Sequence, residues 1–122
     1  LTQYLLVASG GALGSLARFL IGKKVSEKYK GGFPAGTFLI NITGAVLLGA
    51  VSSAGLGPSG YSLFGDGFLG AFTTFSTFMY ESFNLFQDNE KLNAAVYIAG
   101  SLVLGTVGFV TGAEIAGMIK MM

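Results

Sequence analysis

The chain has no cysteine and no histidine. Those two absences remove disulfides, thiol nucleophiles, imidazole bases and the usual zinc and copper sites, and with them most enzyme chemistry. Charge is scarce as well: 11% of the 122 residues are charged, against roughly 25% in soluble domains. Seven basic residues against six acidic ones leave a net charge of +1. There is neither the basic field that nucleic acid requires nor an acidic tail, and no nucleic-acid partner is expected. What fills the space is apolar, 52% of the residues, which belongs in a membrane. Twenty glycines would weaken isolated soluble helices, but membrane helices use glycine to bring backbones close. The composition predicts an all-α membrane protein with tightly packed helices.

Four apolar runs, at about 4–22, 33–54, 67–86 and 92–119, each approach or exceed the roughly 20 residues that cross a hydrocarbon core near 30 Å thick. They predict four transmembrane helices in one membrane domain, with nothing between them large enough to fold separately. Lys23, Lys24, Lys28 and Lys30 follow the first run, whereas a cleaved signal peptide carries its positive charge ahead of it, so the run is expected to stay attached. Its Gly10, Gly11 and Gly14 match a phosphate-binding loop only superficially, because no strand precedes them. They read better as a small-xxx-small packing face. Arg18, about one turn before the end of the run, either snorkels to the interface or sits near an anion entrance. The segment 23–32 reads as a polar connector, 56–66 as a loop built on Gly57-Pro58, Gly60 and Asp66, and 87–91 as a short charged turn.

The second run carries Asn41, which either bonds across to a neighbouring helix or lines a pathway. The glycosylation pattern Asn41-Ile42-Thr43 lies too deep in apolar sequence to be modified. On the fourth run Tyr97, Ser101, Leu104, Gly105, Gly108, Thr111 and Gly112 share a face, and Gly108 with Gly112 forms a GxxxG pair.

The third run is the unusual one. Gly67 to Glu81 holds glycines, four hydroxyl residues and a carboxylate among its aromatics. On an unbroken wheel at about 100° per residue, Phe72, Phe75, Phe78, Met79, Phe83 and Phe86 gather on one side. Thr73, Thr74, Thr77, Tyr80, Glu81 and Asn84 gather on the other. Lipid offers that polar face no hydrogen bonds, so it must meet protein or water. The aromatic stripe taken alone reads as core packing.

Three stretches in order, GSLARF at Gly14 to Phe19, GTFLINITG at Gly36 to Gly44 and GAFTTFSTF at Gly70 to Phe78, together with four spans, resemble the small bacterial fluoride channels of the Fluc or CrcB family. Ala71 departs from the second glycine the family often has. The resemblance implies a dimer of four-helix subunits packed antiparallel in dual topology, in a bacterial inner membrane. It implies a third helix broken in its middle, and a structural sodium ion at the dimer centre held by the freed backbone carbonyls of Gly70 and Thr73, without side-chain carboxylates. It implies passive fluoride export along paths lined by Asn41, Phe75 and Phe78, with Tyr97 and Ser101 as hydroxyl donors farther along and Glu81 near one mouth. A ring edge is electropositive, so it can meet a small anion without binding it too tightly to release.

Two other classes compete. A small proton-coupled multidrug exporter is also a four-span dimer, but it needs a carboxylate embedded in the first helix, and the first run has none. A structural membrane subunit would have no need of Asn41, Glu81 and a polar face, each costly in lipid.

Five lysines, at 23, 24, 28, 30 and 91, fall on one side with Arg18 near the same end, and Lys120 alone falls on the other. The positive-inside rule would place that first side in the cytoplasm, whereas an antiparallel dimer needs both orientations. With the chain expressed alone, a terminal tag is expected to label from both membrane faces. A single orientation, with no fluoride flux until a related partner chain is added, would instead identify half of a two-chain channel.

Overall fold

The computed structural model describes all 122 residues. Three helices are long and apolar enough to cross a membrane: α1, Thr2–Lys28; α2, Ala35–Ser53; and α6, Lys91–Met121. At 1.5 Å per residue α1 is about 40 Å long, so its last turns outrun the hydrocarbon core. Lys23, Lys24 and Lys28 extend the helix into the headgroup region, where the sequence suggested a connector. Lysine and glutamate are good helix formers, and nothing between Lys23 and Lys28 stops the helix.

The remaining span is built from pieces. A short helix α3 (Gly57–Tyr61) runs directly into a π-helical stretch, Ser62–Leu69, then into one helical turn, α4 (Gly70–Phe72). Three non-helical residues follow before α5 (Ser76–Gln87). The region read as a loop up to Asp66 is therefore helical from Gly57 onward. Gly55 and Gly57 carry the turn, at φ +70° and +77°, and Pro58 sits at the first turn of α3, where its missing N–H costs nothing. At its other end α5 stops at Asn89, φ +59°, the left-handed position that closes many helices.

Glycine sets the packing. A Cβ on Gly10 or Gly14 would collide with backbone atoms of Leu63 or Phe68, so α1 lies directly on the π-helical stretch. A Cβ on Gly49 would strike the Phe109 carbonyl and one on Gly112 the Val46 carbonyl, which brings α2 and α6 together along their length. Both glycine faces read from the sequence are thus packing faces. Buried apolar side chains form two clusters. Phe78, Leu85, Ala94 and Tyr97 join α5 to α6, and Ile40, Leu69 and Phe72 join α2 to the upstream half of the third span.

Substituting Gly112 by Ala forces a methyl into the Val46 backbone and is expected to destabilise the subunit by about 1–3 kcal/mol, read as a lower unfolding midpoint in detergent. Gly117→Ala, where no atom lies within 4 Å of the added carbon, should leave the midpoint in place.

Candidate functional site

Thr73, at φ −80° and ψ 160°, is extended and ends the helical turn before it. The interruption takes away the backbone donors that an unbroken helix would supply. The Thr74 N–H goes to Asn41 Oδ1 at 2.8 Å and the Thr77 N–H to Thr74 Oγ1 at 3.3 Å. The Phe75 N–H reaches no backbone carbonyl. The carbonyls of Gly70, Ala71 and Thr73 therefore lose their i+4 donors. Gly70 itself is helical, φ −60° and ψ −34°, so a glycine's freedom of backbone angle is not what position 70 requires. It is exposed in the single chain, and the missing side chain leaves its carbonyl uncovered.

Two side chains from neighbouring helices hold the broken segment. Asn41 on α2 closes a reciprocal pair with Thr74, its Nδ2 donating to the Thr74 carbonyl at 2.9 Å while its Oδ1 accepts the Thr74 N–H. Arg18 on α1 donates from Nη1 to the Thr73 carbonyl at 3.2 Å. Both alternatives offered for Arg18 pointed to the membrane surface or an entrance, and neither anticipated a backbone partner 55 positions away. Thr74 also starts α5, because its hydroxyl accepts the Thr77 N–H as an N-cap residue does.

Two cavities flank the break. One of about 460 Å³ takes in Arg18, Lys23, Thr37, Thr77 and Glu81, so basic and hydroxyl groups dominate its polar wall. The other, about 580 Å³, takes in Asn41, Gly70, Thr73, Phe75, Phe78 and Ser101. Thr74 lines both. Most of the residues singled out in the sequence thus gather on the second cavity, with Glu81 on the first.

The predicted roles separate once geometry is known. Phe75 is 73% exposed in the single chain, whereas Phe78 is 8% exposed and belongs to the core cluster. Their rings stand 6.0 Å apart at 42°, and the Phe78 ring lies 5.2 Å from that of Tyr97. Packing is therefore part of what Phe78 does. Tyr97 is fully buried, and its hydroxyl donates to Glu81 Oε1 at 2.9 Å, so the one proton expected to face an ion already has an acceptor. The Ser101 hydroxyl is different: its oxygen is buried without a partner in the chain and the residue lines the second cavity. A buried hydroxyl left unpaired costs stability unless something meets it. The single aromatic face drawn on an unbroken wheel does not form. The buried face of α5 is Phe78, Ser82 and Leu85, while Met79, Phe83 and Phe86 point outward, because the break resets the rotation of α5 against the turn before it.

The sequence reading missed Asp66, taken as a turn residue. It lies in the π-helical stretch and lines the second cavity with Gly70 and Thr73. The signal was available only as a carboxylate four residues ahead of the glycine of the motif.

The family profile described as CrcB-like protein, camphor resistance (CrcB), matches residues 5–113. The chain is similar to a fluoride-specific ion channel, FluC 2, of Clostridium acetobutylicum, 53% identical over 90% of this chain and 94% of that one. It is also similar to the FluC 2 of a Bacillus cereus strain, 40% identical over 95% and 98% of the two chains. A third such channel, FluC 1 of Carboxydothermus hydrogenoformans, is 37% identical over 98% of each.

The Asn41 amide both donates and accepts at Thr74, so only an amide can replace it fully. Asn41→Ala is expected to cost on the order of 1–2 kcal/mol, two membrane hydrogen bonds, and to speed hydrogen exchange at the Thr74 amide. Asn41→Asp keeps the acceptor and should leave that amide more protected than the Ala variant does.

Proposed function

The chain belongs to the CrcB family, and from that membership we propose that it is a fluoride channel, carrying the anion passively across a bacterial inner membrane. It is an all-helical, multi-pass membrane protein and not an enzyme. The observation that carries the reading is the broken third span, held by Asn41 and Arg18 and flanked by cavities on both sides.

The path we infer runs from the basic cavity past Thr74 into the second cavity. Arg18 and Lys23 concentrate anions at its mouth. Beyond Thr74 no basic residue lines the wall. A small anion there meets ring edges of Phe75 and Phe78, the second Nδ2 hydrogen of Asn41 and the unpaired hydroxyl of Ser101. Such contacts are individually weak, and a permeating ion must be able to leave each of them. Glu81, by accepting from Tyr97, fixes that ring against Phe78 and keeps the phenol from competing for the ion. Tyr97 thereby acts on Phe78 as a positioning residue.

A second subunit is part of the proposal. Phe75 is mostly exposed, Gly70 and Asp66 are exposed, and the second cavity opens beside them. Polar backbone and a carboxylate at this depth cannot face lipid. An antiparallel copy of the same chain, as the family resemblance implies, would cover them. The residues also fit a central sodium ion, because the Gly70 and Thr73 carbonyls have lost their helical donors and line one cavity. Carbonyl oxygen is the ligand type a hard cation takes. Bound there, the ion would supply positive charge that locks the two broken helices together.

The rival exporter reading fails on α1, whose one carboxylate, Glu27, stands among lysines in the last turns of the helix, outside the apolar run. The test is fluoride efflux from liposomes holding the purified chain alone, which should be fast and should exceed chloride efflux. Phe75→Ile should lower the flux with the assembly intact. Phe78→Ile should lower both flux and the unfolding midpoint, since it removes a ring from the core. Wild-type liposomes that retain fluoride would overturn the proposal, and normal flux in both variants would move the path elsewhere.

A further inference from the structure

We infer that Asp66 is the counter-charge for the central cation, an inference that rests on the sodium site proposed above. Gly67 packs on Gly10 of α1, which lies about 9 Å inside the apolar run beginning at Tyr4. The neighbouring Asp66 is therefore at hydrocarbon depth. A carboxylate there is expensive and needs a partner, yet no Lys or Arg lines its cavity. The same cavity holds Gly70 and Thr73, four and seven residues on at helical spacing, and the Gly70 carbonyl has lost its backbone donor.

Arg18 makes the need for negative charge sharper. Its guanidinium bonds the Thr73 carbonyl at 3.2 Å, so one of the two carbonyls assigned to the cation already faces a positive group. A symmetric pair of subunits would bring two guanidinium groups to the site, and neutral carbonyls alone do not offset them. Two Asp66 carboxylates do. They act through space, leaving the carbonyls as ligands, and they cancel the repulsion that the paired arginines exert on the ion. The cation in turn neutralises two carboxylates that would otherwise repel fluoride from a cavity it must cross.

The test is the sodium dependence of thermal unfolding of the purified dimer, with sodium exchanged for N-methylglucamine at constant ionic strength. Wild type should be stabilised by sodium at a half-effective concentration on the order of tenfold or more below that of Asp66→Asn. Asp66→Glu should stay near wild type. Should Asp66→Asn fail to assemble, Asp66→Ser removes the charge with less bulk and takes its place. Equal sodium requirements in wild type and the neutral variant would overturn the inference. So would a wild type indifferent to sodium, and fluoride efflux from the same preparation then tells loss of the cation site from failure of the channel reading.

Discussion

A helix can be interrupted in the middle of a membrane only if its orphaned backbone groups find partners there. Here the Asn41 amide and Thr74 supply them to each other, donor to carbonyl and carbonyl to donor, at 2.9 and 2.8 Å. Everything else about the site follows from that exchange. It frees the Gly70 carbonyl, lets Thr74 cap α5 and keeps the two halves of the third span at a fixed offset. Without it the segment would return to an ordinary helix, because an extended residue with unmet hydrogen bonds is too costly in lipid.

The cavities on the two sides of the break differ in chemistry, and the difference suits a small, strongly hydrated anion. Fixed cations at the mouth raise its local concentration. Deeper in, where a fixed cation would trap it, the wall offers an amide, ring edges and a hydroxyl. Thr74 borders both, so the residue that the clamp immobilises is also the one past which an ion must move. Rigidity of the backbone and permeability of the site are therefore set at one position.

Much of this was legible in the sequence, for reasons that can be named. Three of the spans declare themselves because lipid selects composition over length. The glycine pairs on α1 and α6 read correctly as packing faces because only a missing side chain permits such close backbones. The third span resisted for two reasons. Gly57, Pro58, Gly60 and Asp66 are turn residues in water, but in this chain they begin a helix. A wheel also assumes constant rotation, and Thr73 breaks it, so Ser82 turned out buried and Phe83 exposed. Arg18 illustrates a different limit: its partner, a carbonyl 55 residues away, exists only because that carbonyl was freed by a break whose local geometry no spacing reveals.

The π-helical stretch Ser62–Leu69 has one further meaning. Its i→i+5 bonding accommodates an extra residue per turn relative to an α-helix, so it behaves as a stored insertion lying just ahead of the break. Loss of a single residue there would let the segment tighten to an α-helix while turning all that follows by about 100° and drawing it back by about 1.5 Å. Gly70 would then face a different neighbour. Gaps in the third span of related chains, if aligned within these eight residues, would therefore be changes of aim rather than of length.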